Sequence, residues 1–251
     1  MSAQRLHPTK FGHGALVFVL LLQSFLLGGA SFSHLERPLT SSPSAQNRPT
    51  VDTLPLPLQY AFSSDVGRDD PAYHLSPFSP AGYAAANPRS GLAATFTSAA
   101  MRVRVGRDSW SIALTAWGRP ANLQPLRPAG PALLRANRVE YPHGPLTAWY
   151  VNGPLGVQQG WTLAAPPPGA TAAPVTLALA QGGTLRGQVD ADRRGLTLSD
   201  AAGVPRLHYA GLLAHDAAGR PLPAELAAQG EQVLLRVDDS AALYPLTIDP
   251  W

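Results

Sequence analysis

Apolar and polar residues alternate most cleanly between residues 95 and 105, where Met101, Val103 and Val105 are interleaved with Arg102 and Arg104. A period of two sends successive side chains to opposite faces of a strand, so one face is predicted to enter a core and the other to meet water. Gly106-Arg107-Asp108 then turns the chain into Trp110, Ile112 and Leu114, again at period two, which predicts a hairpin. Short β-favouring runs come next at 146–151, 157–163, 175–179, 184–189, 196–198, 207–213, 233–237 and 243–248. Their even spacing predicts an all-β protein, an antiparallel β-sandwich. Beyond the N-terminal segment no stretch carries a sustained 3.6-residue apolar period, and residues 221–230 fit either one short helix or another strand.

Between these runs the punctuation is regular. Asp192-Arg-Arg-Gly195, Asp200-Ala-Ala-Gly203 and Asp216-Ala-Ala-Gly219 all read D-x-x-G. Asp at the first turn position accepts a backbone N–H and Gly at the fourth tolerates a left-handed exit, so these aspartates are read as turn formers. Residues 119–131 hold four prolines, which remove ladder donors and exclude a central strand. That stretch is a long loop or an internal boundary between two packed β subdomains.

The N-terminus has a different pattern. Arg5 and Lys10 precede an uncharged apolar run from Ala15 to Leu27, closed by Gly28, Gly29 and Ala30. A basic head, an apolar middle and small residues at the end predict a signal peptide over residues 1–30 and export of the remaining chain to a secreted or cell-surface location. The alternative is an uncleaved membrane anchor over residues 14–32, which places the rest of the chain outside as well. Residues 31–58 are rich in Pro and Ser and are read as a disordered linker; residues 59–251 form the β region.

Charge changes the picture little. The 251 residues carry 19 Lys plus Arg against 16 Asp plus Glu, net +3. Taking Arg5 and Lys10 from the 19 basic residues leaves 17 against 16, because no acid precedes residue 31. No basic run tracks a phosphate backbone, so nucleic acid is not an expected partner. With no cysteine, and Lys10 the only lysine, disulfides, thiolate nucleophiles and a Schiff-base lysine in the β region are excluded.

Candidate chemistry is sparse. Asp190-Ala-Asp192 has the start of a calcium loop, but Arg194 and Ala201 stand where oxygen ligands belong, so a turn is expected. The doublets Asp69-Asp70 and Asp238-Asp239 place neighbouring carboxylates on opposite faces of an extended chain, not on one substrate. The histidines show no metal-ligand spacing, and no nucleophile elbow or phosphate loop is present. No catalytic residue, metal or cofactor is therefore assigned. Trp149 and Trp161 lie on neighbouring predicted strands and are the candidate ligand-binding residues, since an exposed indole can stack on a sugar ring. Trp149 and Tyr150 must face opposite ways.

Five stretches carry a resemblance: 66–73 (VGRDDPAY), 137–141 (NRVEY), 149–156 (WYVNGPLG), 159–163 (QGWTL) and 244–250 (YPLTIDP). Together they resemble the N-terminal β domain of bacterial secreted proteins that carry FG-GAP (integrin α-like) or SBBP-type β-propeller repeats. The resemblance implies an accessory module of a large extracellular protein, without catalytic residues to carry over. No such repeat occurs before Trp251, so the calcium sites of FG-GAP repeats are not assigned. The leading expectation is a non-enzymatic interaction module with an extracellular protein or glycan as partner. A carbohydrate-binding module using Trp149 or Trp161 stands second, and a glycan-active β-sandwich enzyme third.

Overall fold

A computed structural model describes residues 54–169 and 173–250. The expected leader and most of the linker lie outside the described residues. Among the described residues no helix is long and apolar enough to cross a membrane.

The chain enters through helix α1 (Leu56–Asp69) and one 3-10 turn (Pro71–Tyr73), and continues as antiparallel strands in three sheets. The first sheet begins with β1 (Ser76–Ser79), β2 (Gly82–Asn87), β3 (Leu92–Phe96), β4 (Ala100–Val105) and β5 (Asp108–Arg119). It is completed by β11 (Val175–Gly183), β17 (Gln232–Val237) and β16 (Ala224–Gln229), with β6 (Asn122–Pro125) branching from β5. The second sheet runs β15 (Leu213–His215), β18 (Leu246–Asp249), β10 (Gly156–Leu163), β9 (Leu146–Gly153), β8 (Arg138–His143) and β7 (Leu133–Arg135). A small third sheet holds β12 (Arg186–Val189), β13 (Leu196–Ser199) and β14 (Pro205–Tyr209).

The alternating residues fill the space between the sheets. Met101, Val103, Trp110, Ile112 and Leu114 are buried, while Arg102 and Arg104 are exposed. They meet Tyr141, Tyr150 and Trp161 of the second sheet in one apolar cluster. Phe96 stacks on Tyr150 at 4.9 Å between ring centroids, and the Tyr141 hydroxyl donates to the Phe96 carbonyl at 3.0 Å. Offset aromatic packing with a satisfied hydroxyl holds the layers in one register. The protein is thus an all-β sandwich, as its pattern predicts.

Two details differ from the sequence-based expectation. Residues 95–105 are two strands, because Thr97 N–H and Ala100 carbonyl close a turn at 2.9 Å between β3 and β4. Of the two alternatives open for residues 221–230, the strand forms, as β16 (Ala224–Gln229). Residues 56–69 form a helix, where the pattern predicts linker passing into sheet. The Pro55 carbonyl accepts from Leu58 and Gln59, and Pro57 sits in the first turn, where its missing N–H costs nothing. The helix buries Tyr60, Ser63 and Gly67. That stripe has helical spacing but is not apolar, since the helix backbone lies directly against the sheet: a Cβ on Gly67 would collide with the Asn152 carbonyl, and one on Gly153 with the Ser63 carbonyl.

Two of the D-x-x-G turns form as predicted. Asp200 and Asp216 each accept from the residue two further on at 2.9 Å, and Gly203 and Gly219 take φ of 78° and 74°. In the third, Asp190 starts the turn and Arg193 holds the left-handed position with φ 61°. Asp238 is exposed and Asp239 buried, on opposite sides of the chain. Asp239 accepts two hydrogen bonds from Arg119, at 2.6 and 2.8 Å, and one from the Tyr244 hydroxyl at 2.7 Å.

Candidate functional site

The outer face of the second sheet carries the polar chemistry. In β8, β9, β10 and β18 the residues Tyr141, Tyr150, Trp161 and Ile248 point into the core. Strand alternation therefore puts Glu140, Trp149, Gly160 and Asp249 on the opposite face. The register pairs Trp149 with both Gly160 and Glu140, and Leu213 with Asp249. The Trp161–Ile248 pair sets Asp249 beside Gly160. A single row thus crosses the sheet from Leu213 through Asp249, Gly160 and Trp149 to Glu140.

The Trp149 indole lies flat along this row, over Gly160, where any Cβ would collide with the ring. Its N–H donates to the Thr162 hydroxyl at 3.3 Å. Arg138 covers the ring with its guanidinium carbon 4.4 Å from the centroid, and Glu140 holds Arg138 Nε at 2.7 Å. The ion pair and the cation–π contact fix Arg138 in one place.

Helix α1 roofs this floor. Pro57, Tyr60, Ala61 and Ser64 from the helix, with Leu213, His215 and Pro221 from β15 and the turn after it, enclose an open cleft of about 570 Å³. Asn152 on β9 ties the 3-10 turn that follows the helix to β2. Its amide donates to the carbonyls of Tyr73 (3.0 Å) and Ala86 (2.9 Å) and accepts from Asn87 at 3.1 Å. Asn137 adds a bond to the Ser64 carbonyl at 3.0 Å. The Tyr60 hydroxyl donates to the Gly211 carbonyl at 3.0 Å, and burial raises its pKa.

Asp249 is the carboxyl of the cleft. It is 9% exposed, and Gln158 Nε2 donates to both of its oxygens at 2.7 Å. Burial pushes its pKa up to about 7; the Gln158 bond and the Arg138 charge pull the other way with less effect. Ser64 and His215 line the same cleft, so the residue types of an acyl-transfer triad are present. No hydrogen bond joins the three among the described residues, and Asp249 is engaged by Gln158 instead.

The sequence-selected tryptophans separate. Trp161 is fully buried in the core, with no surface to offer a ligand. Trp149 reaches the cleft floor but is 4% exposed, with Arg138 on its face. Asp190, from the calcium-like stretch, accepts from the Thr197 hydroxyl and meets His208 Nε2, each at 2.7 Å, while Asp192 accepts from the Arg194 backbone. The sequence pattern does not single out Arg138, Gln158, His215 or Asp249 as site residues. Only the strand register brings them together.

Fold and site together define a β-sandwich with a helix-roofed cleft on the outer face of one sheet. No protein-family model matches the chain, and no curated protein or solved structure matches it either.

Proposed function

We propose that the chain is a non-enzymatic recognition module of an exported protein, secreted or held at the cell surface, and that the cleft beneath α1 receives its partner. The observation that carries this reading is the preorganised cleft floor. Arg138 is fixed by Glu140 and Trp149, and Asp249 by Gln158, so directional groups stand ready in an open, mostly apolar cleft without being linked as a proton relay. The basic head and apolar run of residues 1–30 support export, and the resemblance to the N-terminal β domains of FG-GAP and SBBP-type repeat proteins supports an accessory role. A sugar stacked on Trp149 would have to displace Arg138 from the ring, which favours recognition by the polar groups over stacking.

The test is a thermal-shift screen of saccharides and small ions against the protein and an Ala61→Trp variant, whose indole fills the cleft from the helix side. The expected result is a hit that stabilises the protein and loses its effect in the variant. Hits that survive the variant unchanged, or turnover of a hit by the protein, would overturn the proposal.

A further inference from the structure

We infer that the cleft takes an organic ammonium ion with an apolar body, its nitrogen seated at Asp249 and its body against Ala61, Leu213 and Pro221; this rests on the cleft being the recognition site. Charge on the floor is the first support. Arg138 is already paired with Glu140 at 2.7 Å, so an ionised Asp249 leaves one negative charge there without a fixed counter-ion. A desolvated carboxylate of that kind is stabilised most by a cation that enters the cleft with it. Geometry is the second. Gln158 donates to both carboxylate oxygens from one side and fixes the plane of the group, leaving further lone pairs for ammonium N–H donors. The third is the walls: Ala61, Leu213 and Pro221 offer carbon to the rest of the ligand, where burial of apolar surface adds to affinity.

The charged and titratable groups around Asp249 are Arg138 and Glu140 on β8, Tyr60 on α1 with the charge of Arg194 acting on it, Tyr209 on β14 and His215 on β15. Tyr60 and Tyr209 are held neutral by burial, and Asp249 carries the ionisation that gates the entry of a cation; His215 lines the same cleft, so Asp249→Asn is the variant that separates the Asp249 contribution to the pH dependence from any other. The ligand then binds the ionised form, and its affinity rises with pH until Asp249 is fully ionised. With a pKa of about 7, the ionised fraction grows about tenfold between about pH 6 and about pH 8.

Calorimetric titration with hexylamine, hexanoate and hexanol at those two pH values tests this. Hexylamine is expected to bind best and to gain about tenfold in affinity across the interval. Asp249→Asn, a neutral isostere, should weaken hexylamine at least about tenfold and flatten its pH dependence, and Ala61→Trp should block it while leaving Asp249 intact. Preference for hexanoate, or equal affinity for hexylamine and hexanol with no pH dependence, would overturn the inference. A neutral or anionic ligand from the wider screen that is lost in Ala61→Trp would sink the ammonium assignment and leave the recognition site standing. Failure of Ala61→Trp to block any ligand would remove both.

Discussion

At the scale of single residues, Gly160 and Asp249 show how position in the sheet decides what a side chain does. Gly160 leaves the gap in which the Trp149 indole lies flat, so Gly160→Ala must lift the ring and disturb Arg138 above it. That substitution is expected to cost about 1–3 kcal/mol in chemical denaturation. It should also shift Trp149 emission to the red, isolated by difference against Trp149→Phe. Asp249 acts on stability in the opposite sense to a paired carboxylate. Its pKa rises from 3.8 to about 7 on folding, so the unfolded chain binds fewer protons across that window. Stability is therefore highest below the unfolded value, falls as pH rises toward about 7 and is level above it. Asp249→Asn should stabilise the protein above about pH 7, by up to about 4 kcal/mol, and the advantage should vanish near about pH 4, as melting curves at the two pH values would record. Much at this scale is legible in the sequence: the alternation of Met101 and Val103 with arginines, the turn roles of Asp200 and Asp216, and the opposite faces of Trp149 and Tyr150. The environment of Asp249 is not legible, because its desolvation depends on a helix that begins almost two hundred residues earlier in the chain.

Helix α1 is the element on which the cleft depends, and the one that hydropathy hides. Its buried stripe joins one aromatic, Tyr60, to the small residues Ser63 and Gly67, while Leu58 and Phe62 are exposed, so apolar periodicity points the wrong way. The physical reason is backbone contact: Gly67 and Gly153 let helix and strand approach to where a Cβ would not fit. Gly67→Ala raises intrinsic helix propensity by about 1 kcal/mol, yet it should undock the helix because the collision is with backbone. Hydrogen exchange should then show lost protection across residues 56–69, with β10 and β11 unchanged. Strand β2 is hidden from the sequence for a related reason. Its Tyr83-Ala-Ala-Ala-Asn run lacks β-branched residues and becomes a strand through pairing with β1 and β3.

On the scale of the whole molecule, residues far apart in sequence close one core. Arg119 at the end of β5 and Asp239 after β17 form a buried pair, completed by Tyr244. Truncating one partner leaves the other charge buried, so Asp239→Ala should lower unfolding free energy by about 3–5 kcal/mol in a denaturant titration. The sandwich class is legible in strand spacing, but the cleft is not, since it gathers residues from position 57 to position 249 by strand register and by the docking of α1.

The central claim, that this cleft is the recognition site, is tested most directly by following the indole N–H resonances of the tryptophans during a ligand titration, with Trp149 assigned by loss in Trp149→Phe. The account predicts that the Trp149 signal moves with ligand while that of Trp161 in the core stays still. Movement at Trp110, which borders a separate apolar pocket between the sheets, with Trp149 unmoved, would place binding elsewhere and contradict it.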